Sequence, residues 1–108
     1  MQNKLRIYIS GKITGLQHEV AKEYFDQVAT QLRSAGHEAV NPMEICPYNP
    51  DWTWEQYMAK DIEVLLGCEA IFMLGNWRDS KGARIEHYIA SETHKKIYYA
   101  QNHDLFIF

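Results

Sequence analysis

The chemically richest pattern in this chain is Ser80-Lys81-Gly82-Ala83-Arg84-Ile85-Glu86, a carboxylate six residues after a serine. The apolar run Ala70 to Leu74 precedes it and breaks at Gly75. A buried strand that delivers a turn and then a helix start is how α/β proteins place ligands, because free backbone N–H groups face a crevice at the strand ends. Glu86, in the second turn of that helix, falls near the crevice mouth, where a carboxylate serves as nucleophile or acid/base. The alternative is a solvated helix residue. Ser80, or Asp79 before it, also suits a plain N-cap, and Gly82 close helix packing. A phosphate held at the helix start would use the same hydroxyl and the same N–H groups.

Two further segments hold chemistry-bearing residues. The loop Ser10-Gly11-Lys12-Ile13-Thr14-Gly15 lacks both the GxGxxG fingerprint and the Gly-Lys-Ser/Thr ending of a P-loop. Its two glycines and one cation either wrap a phosphate or sugar hydroxyl or simply make a turn. Asp61 sits midway along another helical segment, beside apolar Ile62, and its neighbours Lys60 and Glu63 favour a solvated face. The five histidines show no HxxxH or HExxH spacing, so no metal is expected, nor any cofactor.

The elements that must position these groups follow from periodicity. Leu5–Ser10 is rich in β-branched and aromatic residues and reads as a first strand. From Glu19 to Ala35, Val20, Tyr24, Phe25, Val28 and Leu32 recur at helical spacing, and Gly36 ends the pattern. His37–Val40 is a short second strand closed by Asn41-Pro42. Residues 41–52 hold all three prolines and read as the longest irregular stretch, with Tyr48 and Trp52, and Trp54 just beyond it, available to a partner chain. Thr53 and Gln56 form a capping box for a helix to about Leu66, whose apolar face uses Trp54, Tyr57, Met58, Ile62, Leu65 and Leu66. The Ala70–Leu74 strand, a Lys81–Thr93 helix, an Ile97–Ala100 strand and a possible fifth strand at Leu105–Phe108 complete the chain. Alternating strands and helices predict an α/β three-layer sandwich, flavodoxin-like or Rossmann-like. Its parallel sheet has four to five strands in the order 2-1-3-4(-5).

A chain of 108 residues suits a single domain. A net charge of −3 provides no basic field for a nucleic-acid polymer, so an anionic ligand needs a local site. No signal peptide or membrane-length apolar run is visible, and two cysteines make no disulfide framework; a cytoplasmic location is expected.

Taken in order, Tyr8-Ile9-Ser10-Gly11-Lys12-Ile13, Lys60-Asp61-Ile62 and Ser80 to Glu86 resemble the nucleoside 2-deoxyribosyltransferase superfamily, which includes the deoxynucleoside 5′-monophosphate N-glycosidases. The likeness is closest to a compact bacterial and phage subgroup. It implies an N-glycosidase or deoxyribosyltransferase with Glu86 as nucleophile, Asp61 orienting the sugar, and Tyr8 as the aromatic at the end of the first strand. It also implies that Gly11, Lys12 and Thr14 lie against the sugar or phosphate, with Ser80 and Gly82 at the helix start. Ser80 stands where the nucleoside transferases carry Asp, as it does in the monophosphate hydrolases, which points to a 5′-phosphorylated ligand. Lys12 and Thr14 stand where those hydrolases place Ser and Arg. Either Asp61 or Asp79 would protonate the leaving base. The other reading is a non-catalytic nucleotide-sensing module on the same fold. The resemblance and an aromatic content of 13%, with seven Tyr and three Trp, suggest a homodimer or higher oligomer.

Overall fold

The computed structural model describes residues 4–46 and 48–100. Four strands, β1 (Arg6–Ser10), β2 (Glu38–Val40), β3 (Ala70–Met73) and β4 (Lys96–Tyr99), form an all-parallel sheet in the order β2-β1-β3-β4. Helices α1 (His18–Ser34), α2 (Pro42–Ile45), α3 (Trp54–Leu66) and α4 (Lys81–Glu92) connect them. The sheet order and the parallel sense are those expected from the alternating pattern. The fifth strand expected at Leu105–Phe108 lies outside the described residues.

Side chains on β1 alternate between the two faces, as a pleated strand requires. Ile7 and Ile9 pack with Phe25, Val28 and Leu32 of α1 and with Phe72. Tyr8 packs on the opposite face with Leu65 of α3, Ile71, Met73, and Ala83 and Ala90 of α4. The buried central pair β1 and β3 carries apolar residues on both faces, as parallel strands covered by helices do.

Local signals end and begin the helices where the sequence placed them. Gly36 has φ +93° after α1, with its N–H bonded to Arg33 O and that of His37 to Leu32 O, a Schellman ending that favours glycine. Thr53 and Gln56 make the reciprocal capping box: Gln56 N–H donates to Thr53 Oγ1 at 3.1 Å, and Thr53 N–H to Gln56 Oε1 at 2.7 Å.

Several details differ from expectation. The 41–52 segment opens with a short helix, α2, because Asn41 Oδ1 accepts the Met43 N–H at 3.0 Å and Pro42 occupies the first helical position. A 3₁₀ turn, Trp77–Asp79, fills the polar turn before α4. The last described strand starts one residue earlier than expected, at Lys96. Val20 and Leu66, expected on buried helix faces, are exposed. Among the described residues no helix is long and apolar enough to cross a membrane.

Candidate functional site

Where β1 and β3 end, three elements bring polar groups to one point. The β1 alternation sends Tyr8 and Ser10 to the same face, toward α4. On α4, Ala83, Glu86 and Ala90 share the buried face. Glu86 is only 5% exposed among apolar neighbours. Its carboxylate is oriented at both oxygens: Tyr8 Oη donates to Oε2 at 2.9 Å, and Ser10 Oγ donates to Oε1 at 2.6 Å.

On α3, Met58, Asp61 and Leu65 face inward by the same i, i+3, i+7 spacing. Asp61 Oδ1 is buried and has no hydrogen-bond partner among the described residues. A buried acceptor without a donor is costly, so an oxygen left in this state suits a ligand or a proton.

Burial raises both carboxyls. Glu86 rises to about 7, pushed first by desolvation and also by the charge of Asp61, while the Ser10 and Tyr8 hydrogen bonds pull the other way. Desolvation lifts Asp61 to about 7. The Tyr8 hydroxyl is held protonated by burial and then by the Glu86 charge, which keeps it a donor.

These groups wall a narrow cavity of about 60 Å³, lined by Tyr8, Trp54, Tyr57, Asp61, Gly82 and Glu86 among others. Ile13, Pro42, Tyr57 and Asp61 also line a second cavity of about 150 Å³, with His18, Cys46 and Tyr48. The inner space therefore adjoins a mostly apolar outer crevice, and Asp61 belongs to both.

Gly11 lines the inner cavity, and a methyl on it would stand 2.6 Å from Leu74 Cδ1, so the loop's close approach to the end of β3 already calls for glycine. Gly82 lines the cavity where a methyl would meet Met58 Sδ at 3.0 Å. Ser80 caps α4, its Oγ accepting the Ala83 N–H at 3.1 Å. Lys12 donates its backbone N–H to Asn76 Oδ1 at 3.0 Å, tying the first loop to the third. Thr14 is exposed on the same loop, and neither Lys12 nor Thr14 is among the cavity-lining residues. Of the two candidate acids, Asp61 shares the cavity with Glu86, whereas Asp79 is exposed in the 3₁₀ turn.

Three further residues belong to the site, Ser10, Trp54 and Tyr57. Ser10 carries a signal that was available, since it follows Tyr8 by two on a strand. Trp54 and Tyr57 have the same spacing as core residues, and nothing in that spacing marks a cavity wall.

The family model for a domain of unknown function, DUF4406, matches residues 5–99. Among solved structures, a 2-deoxyribosyltransferase from the psychrotolerant bacterium Bacillus psychrosaccharolyticus superposes with a TM-score of 0.63, covering 87% of this chain and 70% of that one at 20% identity. At that identity the likeness establishes a shared fold. No curated protein matches the chain.

Proposed function

The chain belongs to the DUF4406 family, and we propose that it cleaves the N-glycosidic bond of a deoxynucleoside 5′-monophosphate or a related nucleotide. The observation that carries this reading is the Glu86 carboxylate: buried, aimed by two hydroxyl donors, and facing a cavity that also holds Asp61. Burying a carboxylate is expensive, and a purely structural role is met more cheaply by an apolar residue. Carboxyl groups raised toward neutrality in a cleft are what acid/base and nucleophilic chemistry requires. The shared fold with a 2-deoxyribosyltransferase supports glycosyl transfer as the reaction class. Ser80, which stands where the resemblance to the monophosphate hydrolases places a serine, supports the phosphorylated form of the substrate.

In this reading ionised Glu86 attacks C1′ through an oxocarbenium-like transition state, as carboxylates do in retaining glycosidases. The C1′–N bond breaks and its electron pair leaves with the base. Protonated Asp61 supplies the proton the base takes up. A water, or a second nucleobase, then attacks C1′ of the glycosyl ester, returns a proton to Asp61 and frees Glu86. Tyr8 and Ser10 hold the carboxylate and stabilise its anionic form between turnovers.

Release of free base from a panel of deoxynucleosides and their 5′-monophosphates tests the proposal. The native protein should release base, and Glu86→Gln should slow it roughly a thousandfold or more, about 4 kcal/mol in barrier, with little change in ligand affinity. Binding of the same ligands without base release would replace this reading with a sensing module.

A further inference from the structure

A nucleotide entering this site meets a charge problem. The two cavities present Glu86 and Asp61, and no Lys or Arg among the described residues lines either of them. A phosphate monoester brought to such a mouth is repelled unless a cation waits nearby.

Lys81 is the first residue of α4, between Ser80 and Gly82. Its ammonium stands 4.4 Å from the centroid of the Trp54 ring, and Trp54 walls the inner cavity together with Gly82 and Glu86. The four ion pairs among the described residues use Arg6, Lys22, Arg33 and Lys60, so Lys81 is committed to no carboxylate. Of the nearby guanidinium groups, Arg84 Nη1 donates to Arg78 O at 2.7 Å, and Arg78 lies at 4.7 Å over Trp77, a ring that lines neither cavity. An exposed cation over an aromatic face is held weakly, and a charge-assisted hydrogen bond to phosphate is stronger. Exchanging the first for the second costs only a rotation of a flexible side chain. Beside it, the Ser80 hydroxyl accepts from Ala83 and donates to no group among the described residues, which leaves its proton available.

We propose that Lys81 is a specificity-determining residue that leaves the Trp54 face to bind the 5′-phosphate, so that the site selects deoxynucleoside monophosphates over deoxynucleosides. This rests on the reading of the cavity as a nucleotide site. It also makes Trp54 a resting place for the cation when no phosphate is bound.

The test is equilibrium binding of the four common deoxynucleoside 5′-monophosphates and the matching deoxynucleosides to the full chain. Lys81→Met, Lys81→Arg and, as a lysine at the start of β4 and so at the opposite end of the strands from the site, Lys96→Met are compared with the native protein. The native protein should prefer the monophosphate by about tenfold or more, a preference that weakens with added salt. Lys81→Met should erase the preference while leaving deoxynucleoside affinity unchanged. Lys81→Arg should retain most of it, and Lys96→Met should match the native protein. Equal affinity for both forms, no binding of either, or a preference that survives Lys81→Met would overturn the assignment. Base release is followed in the same samples. A preference lost with Lys81 in a protein that releases no base keeps the phosphate assignment and discards the glycosidase, so the two failures are separable.

Discussion

Glu86 and Asp61 face one cavity, and burial brings both carboxyls to about 7. Two interacting groups with similar affinities titrate as a pair, so the pH–rate profile should be a narrow bell whose limbs belong to the pair. The acid limb reflects the need for an ionised nucleophile, and the alkaline limb the loss of the proton the base must receive. Asp61→Asn removes the donor and leaves the nucleophile. Base release from an ordinary deoxynucleotide should fall about 10²- to 10⁴-fold, the range typical of general acid catalysis. A substrate whose leaving group departs without protonation should lose far less, and the alkaline limb should vanish with it. Equal losses on both substrates would assign Asp61 to the sugar instead. The hydroxyls of Tyr8 and Ser10 pull Glu86 in the opposite sense from its burial, which keeps its ionised form accessible near neutral pH.

At the scale of elements, the site depends on how closely the first loop approaches the end of β3. Leu74 N–H bonds Ser10 O at 2.8 Å, Asn76 accepts the Lys12 N–H, and Gly11 lies where a side chain would enter Leu74. Gly11→Ala should cost about 1–3 kcal/mol by overpacking against a buried leucine. It should also displace Ser10 from Glu86, so that activity falls further than the loss of folded protein explains. Urea denaturation beside base-release rates separates the two effects, and a variant as stable and active as the native protein would refute the packing argument. The element order was legible because the three long helices carry local punctuation, such as the Thr53–Gln56 capping box and the glycine after α1. The short helix α2 was not, because Asn41-Pro42 serves equally as a turn after a strand and as an N-cap with proline at the first helical position. The site was legible only in part. Glu86 stands out by its place after a strand, turn and helix start, and the family resemblance adds Tyr8 and Asp61. The neighbours Lys60 and Glu63 favour a solvated Asp61, which is instead turned inward with Oδ1 buried. Trp54, Tyr57 and Met58, by contrast, repeat on α3 with the period of a core face. Periodicity reports which side of a helix is covered, and covering by a cavity gives the same pattern as covering by packed side chains.

For the whole molecule, two buried carboxyls make stability depend on pH in a direction opposite to that set by paired surface acids. The folded-state value of Glu86 is raised from 4.5 to about 7, and that of Asp61 from 3.8 to about 7. Between about 4 and 7 the folded protein therefore keeps protons that the unfolded chain releases. The stability associated with these groups is fully present below about 4, is lost progressively as pH rises toward 7, and stays lost above it. For Glu86 the shift amounts to about 3 kcal/mol, at roughly 1.4 kcal/mol per unit. The ion pairs Arg6–Glu38, Lys22–Asp26, Arg33–Glu44 and Lys60–Glu63 are exposed and contribute little to stability. Glu86→Gln removes the titration but keeps the volume and an acceptor for one hydroxyl. Urea midpoints measured from pH 4 to pH 8 should show this variant gaining on the native protein as pH rises, with the gap levelling near pH 7. A gap of constant size across that range would mean that Glu86 titrates alike in the folded and unfolded chain, and the strained, ready carboxylate on which the proposed chemistry depends would be gone with it.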